Sequence, residues 1–154
     1  MNELYKLLTN PPVQKTTDAA KCLHQIADSI HKRSLVILFS DMLDSTDEND
    51  IFLALQHLKH SKHEVVLFHV MDKSKELDFT FENRPYKFVD LETGEELKLQ
   101  PNQVKDFYIE KMQERKANLK LKCAQYKIDF VEADINEGFQ PVLLSYLVKR
   151  SKMV

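Results

Sequence analysis

Glycine is almost missing: the 154 residues hold two, Gly94 and Gly138. Neither stands in a G-x-G-x-x-G or G-x-x-x-x-G-K setting, where backbone amides close on a phosphate, so dinucleotide and P-loop chemistry have no sequence support. Cysteine is equally scarce. Cys22 and Cys123 lie far apart without C-x-x-C or Cys/His spacing, which points to reduced thiols in a cytosolic compartment and away from a disulfide framework. Long apolar runs are lacking too. The longest aliphatic and aromatic run, Leu35–Phe39, is five residues, against the roughly 20 of a membrane span. Met1 to Lys6 carries no apolar signal core. Charge of one sign is not in excess either, since 22 basic residues face 24 acidic ones for a formal −2. No global field steers the chain toward nucleic acid or an anionic membrane. The expectation is a soluble, cytoplasmic chain without a cofactor, a membrane segment or a nucleic-acid partner.

What is present is an ordinary globular composition, 43% apolar and 30% charged, in a length that suits one domain spanning residues 1–154. After Pro11-Pro12, Thr17-Asp18 offers an N-cap for a helix to about Lys32, with the apolar stripe Ala19, Leu23, Ile26, Ala27 and Ile30. Residues 34–40 form a continuous apolar run, the pattern of a strand buried on both faces. Ser45 and Glu48 make a capping box for a helix carrying Ile51, Leu55 and Leu58 to about Lys59, and residues 64–70 repeat the buried-strand pattern. Strand, helix and strand with short joints predict a βαβ unit, hence an α/β core. Between Glu76 and Gln100 the period changes to two, through Leu77, Phe79 and Phe81 and then a hairpin around Glu92-Thr93-Gly94-Glu95. A long helix from Pro101, a strand over 128–133 and a helix over 139–150 complete the expectation.

Ser40-Asp41 closes the first buried strand, and ligands of open α/β sheets bind just beyond such strand ends. A phosphatase of the haloacid dehalogenase type needs a second carboxylate two residues on, where this chain has Leu43. The acidic string Asp41, Asp44, Asp47, Glu48 and Asp50 lacks the glycine and distal glutamate of a calcium loop, and suits a helix N-terminus. His57, His60 and His63 could share a helix face and hold zinc, yet no fourth ligand stands nearby, and histidines also suit the last turn of a helix. No G-x-S-x-G elbow supports a serine hydrolase. The long helix is locally basic, with Lys105, Lys111, Arg115, Lys116, Lys120, Lys122 and Lys127. Its interleaved acids suit a solvated face, while a protein-partner surface and a phosphate-tracking face remain open.

The residue order resembles the C-terminal part of the von Willebrand factor A-like proteins classed as domain of unknown function, family 58. The resemblance rests on Thr17-Asp18, Arg33 to Asp41, His63 to Asp72, Phe88-Val89-Asp90-Leu91-Glu92-Thr93-Gly94-Glu95, Tyr108, and Tyr146 to Arg150, over roughly residues 4–150. It implies a truncated von Willebrand factor A-like, Rossmann-like three-layer domain with an antiparallel hairpin insertion. It further implies adhesion or assembly in place of catalysis, and a MoxR-type AAA+ ATPase as partner. In the wider fold a metal-ion-dependent adhesion site draws on a D-x-S-x-S loop, a threonine and an aspartate. The resemblance places Thr17 (or its neighbour Thr16) and Asp41 at the last two, beside Ser40.

This sequence has no D-x-S-x-S, and the family's first strand, which would precede Asn2, is expected to be absent. Thr17 and Asp41 alone are too few oxygen ligands for a hard divalent ion, so tight metal binding is not expected. The missing strand would leave the Leu35–Phe39 strand with an empty flank. An apolar unpaired edge templates pairing with another chain, so either a homodimer through this edge or coverage by residues 1–12 is expected. The sequence therefore reads as a non-enzymatic protein-interaction module with Thr17, Ser40 and Asp41 as binding residues. The alternative is a small metal-assisted hydrolase centred on Asp41, with Asp44 and His69.

Overall fold

The computed structural model describes Thr9 and residues 18–43, 48–90 and 94–152. Helix α1 spans Ala19–Ser29, and the Asp18 side chain caps it by accepting from the Lys21 amide at 2.9 Å. Its buried stripe is Ala20, Leu23 and Ala27, three and four apart as a helix face requires. Ile26, expected on that stripe, is exposed. The helix also stops three residues short of Lys32, because Ile30 turns extended. The expected capping box falls on Ser45, outside the described residues.

Strand β1, Leu35–Ser40, leads through helix α2, Glu48–His60, to strand β2, Glu64–Met71. Helix α3, Pro101–Gln125, leads to strand β5, Asp129–Asp134, and helix α4, Phe139–Ser151, follows. The three strands form one parallel sheet in the order β1-β2-β5, with Phe39 opposite Phe68 and Phe68 opposite Val131. The expected α/β core is therefore present. Proline at the first turn of α3 costs no hydrogen bond, since that amide has no helical partner.

One face of the sheet builds the main core. Val65 and Leu67 of β2, with Val36, Leu38 and Phe130, pack under Leu55 and Leu58 of α2 and Leu119 and Cys123 of α3, while α1 lies on the outer side of α2. The opposite face is thinner: Val66, Phe68 and Val131 meet Tyr146 and Val142 of α4. β1 departs from expectation here. It is not buried on both faces, because its burial alternates and Leu35, Ile37 and Phe39 are exposed, Phe39 at 65%. It is an edge strand among the described residues, and α4 does not reach over its outer face.

Between β2 and α3 the chain makes a π-helical turn, Lys73–Leu77, and an antiparallel pair, β3 (Tyr86–Val89) with β4 (Glu96–Leu99). The hairpin matches expectation, and Gly94 takes a φ of 75° as its amide donates to the Asp90 carbonyl at 2.9 Å, a conformation glycine adopts without a side-chain penalty. The alternation of Leu77, Phe79 and Phe81 is not a strand. Phe79 has a φ of 47°, which breaks any extended run, and its ring packs 4.4 Å from Tyr108 and 4.8 Å from Phe81. These aromatics tie the hairpin to α3 instead of pairing along a sheet.

Leu55 and Leu67 are fully buried at the α2–β2 contact, whereas Leu53 faces solvent at 54% exposure. Leu55→Ala and Leu67→Ala are each expected to lower unfolding free energy by about 2–5 kcal/mol, and Leu53→Ala by about 0.5 kcal/mol or less. Urea denaturation with an unchanged slope checks this; equal losses at all three positions would contradict the layer assignment.

Candidate functional site

The carboxyl ends of β1 and β2 meet at a tight turn, residues 40–43. Met42 sits in the left-handed region with a φ of 56°, which a non-glycine residue holds only when its surroundings fix it. Four contacts do so. The Ser40 hydroxyl accepts from the Met42 amide at 3.0 Å, and the Asp41 carboxylate accepts from the Leu43 amide at 3.0 Å. His69 Nε2 donates to the Asp41 carbonyl at 3.2 Å, and the Arg115 guanidinium donates to the Met42 carbonyl. The Met42 side chain is buried in the main core. Ser40 and Asp41 are thus brought together, and both act on the turn's own backbone. Thr17, Thr16 and Asp44 lie outside the described residues.

His69 is 7% exposed, and its Nδ1 has no hydrogen-bond partner. Because a carbonyl only accepts, Nε2 carries the proton and Nδ1 is a bare acceptor. Burial lowers the His69 pKa, against the opposing pull of the Asp41 carbonyl and of the Glu76 and Glu132 carboxylates. The adjoining cleft is lined by Asp41, His69, Glu76, Met112, Arg115 and Lys116, and it holds only about 10 Å³, roughly the room of one water. Among the described residues no substrate-sized space opens beside Asp41.

A second polar group joins the ends of β2 and β5. The Asn136 side-chain amide donates to Asp72 and Asp134, each at 2.9 Å. Hydrogen bonds from Asn136, through its side chain to Asp72 and its backbone to Asp134, hold both carboxyls below their usual range. Among the described residues no group of three or more metal-ligating side chains forms. The histidine triplet is dispersed: His57 Nδ1 faces His24 Nδ1 at 3.2 Å, His63 Nδ1 accepts from the Ser34 amide at 3.1 Å, and His60 is exposed.

The basic helix is largely committed to its own surface and core. Lys111 pairs with Glu114 at 2.8 Å, Lys116 with Glu132 at 2.7 Å, and Lys122 lies 5.0 Å over the Phe52 ring. Arg115 is expected only as one cation of the basic helix, and Asn136 is not singled out by the sequence. Arg115 meets Met42 across 73 positions, a separation that carries no local signal. Asn136 shows only as a turn residue two places after Asp134.

The class this defines is an α/β protein with a parallel three-stranded sheet, a separate antiparallel pair and no described helix long and apolar enough to cross a membrane. The family model described as protein of unknown function DUF58 matches residues 1–118, and the chain belongs to that family. No curated protein and no solved structure matches the chain.

His69 supplies a pH test. The unfolded chain titrates near the ordinary 6.5 while the folded value is lower, so below pH 6.5 the unfolded state takes up a proton that the fold refuses. The stability linked to His69 is complete above that pH and is lost as pH falls toward the folded value. Urea unfolding of His69→Gln and the parent at pH 7.5, 6.0 and 5.0 is expected to show a shallower acid loss in the variant. Parallel losses would exclude His69 as the source.

Proposed function

We propose that the chain is a non-enzymatic protein-interaction module of von Willebrand factor A-like kind, and that its partner surface is the outer face and free edge of β1. One observation supports this reading above the others. Leu35, Ile37 and Phe39 stand exposed on a strand that is an edge among the described residues, and an apolar edge of this kind invites a further strand. The face is prepared for packing, because Phe39 stacks on Phe68 at 4.9 Å and Phe68 meets Tyr146 edge-on at 5.5 Å. Beside it, α4 presents Phe139, Leu144 and Leu147, all more than half exposed. Exposed apolar side chains grouped on one strand face mark interaction sites more often than free surface.

The resemblance implies a MoxR-type AAA+ ATPase as the partner that covers this face. A homodimer through the Leu35–Phe39 edge would use the same groups. In either arrangement Ser40 and Asp41, at the end of β1, shape the rim of the contact, and Thr17 is placed with them by the resemblance. The reading includes no catalytic role for Asp41, whose carboxylate caps Leu43.

Light scattering and capture of a MoxR-type ATPase test the surface directly. Association of either kind is expected to weaken at least about tenfold, some 1.4 kcal/mol, in Phe39→Asp, while the thermal midpoint changes little because Phe39 is 65% exposed. A monodisperse chain that captures no ATPase would overturn the reading. A separate melt in magnesium against chelator is expected to give one midpoint, since a ligand held only by the fold must raise it. A rise abolished by Asp41→Ala would favour the metal-assisted hydrolase instead.

A further inference from the structure

At the amino ends of the strands, opposite the Ser40–Asp41 turn, the structure opens a groove of about 600 Å³, within the range of ligand-binding clefts. Its apolar floor is Val65, Ala124, Ile128 and Phe130. Its walls come from elements distant in sequence, because α2, α3 and α4 all end on this side. Lys149 and Arg150 of α4 pair with Asp129 at 2.6 Å and Glu64 at 3.0 Å. Those pairs are locally neutral. Lys59, Lys120 and Lys127 also line the groove, and among the described residues no carboxylate lies within ion-pair reach of them.

Five cations against two carboxylates give the lining a formal +3 in a chain whose net charge is −2. The three helix ends offset part of this, at about half a negative charge each. Roughly half of the positive charge is left without a local counterpart. The signs are thus segregated, and the positive side coincides with a concave surface that has an apolar floor.

We propose that this groove binds an acidic segment of a partner protein, with aspartate or glutamate side chains on Lys59, Lys120 and Lys127 and intervening apolar side chains against Ala124 and Phe130. The inference rests on the protein-interaction reading but uses a different surface. A peptide fits better than a nucleic acid for two reasons. Lys111, Lys116 and Arg115, which would extend a phosphate track along α3, already hold Glu114, Glu132 and the Met42 carbonyl. A sugar-phosphate backbone would also leave Ala124 and Phe130, the floor residues not already buried, uncovered, whereas an apolar side chain of a peptide would cover them.

The test is fluorescence anisotropy with the full chain and a fluorescein-labelled decapeptide of alternating Glu and Leu. Saturable binding is expected at 50 mM salt, weakening about tenfold by 300 mM as screening sets in. The K59Q/K120Q/K127Q variant is expected to lose about tenfold in affinity, and K59R/K120R/K127R to retain it, with melting midpoints showing that both fold. A Lys-Leu decapeptide is expected not to bind. No saturation at low salt, or equal binding by the glutamine variant, would overturn the proposal, and so would tighter lysine-dependent binding of oligo(dT). Loss of peptide binding with Phe39-dependent association intact removes the groove alone; the reverse result removes the β1 surface alone.

Discussion

Six of the eight residues of Glu64–Met71 are buried, and a strand enclosed on both faces needs its backbone groups satisfied by neighbours on both edges. β1 supplies one ladder and β5 the other. The side chains divide just as strictly: Val65 and Leu67 enter the main core, Val66 and Phe68 the smaller one. A slip of one residue would exchange the two sets. Two of the polar groups and one wall of the groove hang from the ends of this strand. Its carboxyl end carries His69 to the Asp41 carbonyl and Asp72 to Asn136, and its amino end carries Glu64 into the cationic groove.

The two faces are unequally covered, and the proposed interaction surface rests on this inequality. α2 and α3 cover the first face, with α1 as a further layer, so Val36 and Leu38 are sheltered. α4 reaches Phe68 through Tyr146 but leaves Phe39 open. The strand therefore combines a protected inner side with an apolar outer side. That combination stabilises the fold through one face while leaving the apolar side chains of the other exposed.

The sequence pattern conveyed what depends on neighbours in the chain. Strand and helix order, the cap at Asp18, the hairpin around Gly94 and the α/β class all follow from local signals. Two kinds of feature did not. Residues 35–39 read as buried on both sides because apolar side chains stand on both, and periodicity cannot say whether a layer is supplied to cover them. Leu77, Phe79 and Phe81 imitate a strand, yet their rings meet Tyr108 and each other around a left-handed Phe79. The site was legible only in part for the same reason. Ser40 and Asp41 stand out at a strand end, but Arg115 and His69 reach their turn from other elements. The groove likewise draws Lys59, Lys120 and Lys149 from three helices, so no segment announces it.

The turn at Ser40–Leu43 and the bare edge of β1 are best understood together. Open α/β sheets bind ligands where the order of strands reverses, since connections leaving on opposite sides part there and open a crevice. The described sheet runs β1-β2-β5 in one direction, and no reversal lies within it. That agrees with a cleft beside Asp41 large enough only for a water. A strand added beside β1 would place a reversal at Ser40 and Asp41 only where its own connection left on the opposite face of the sheet. The same addition would flank Phe39 and Ile37, which project from the outer face of that strand. On the proposed reading the exposed edge and the strand-end residues lie on one surface, with Asp41 at its rim. The rigidity of the turn, fixed by Ser40, His69 and Arg115, then holds the rim in shape before that neighbour arrives, which lowers the ordering cost of association.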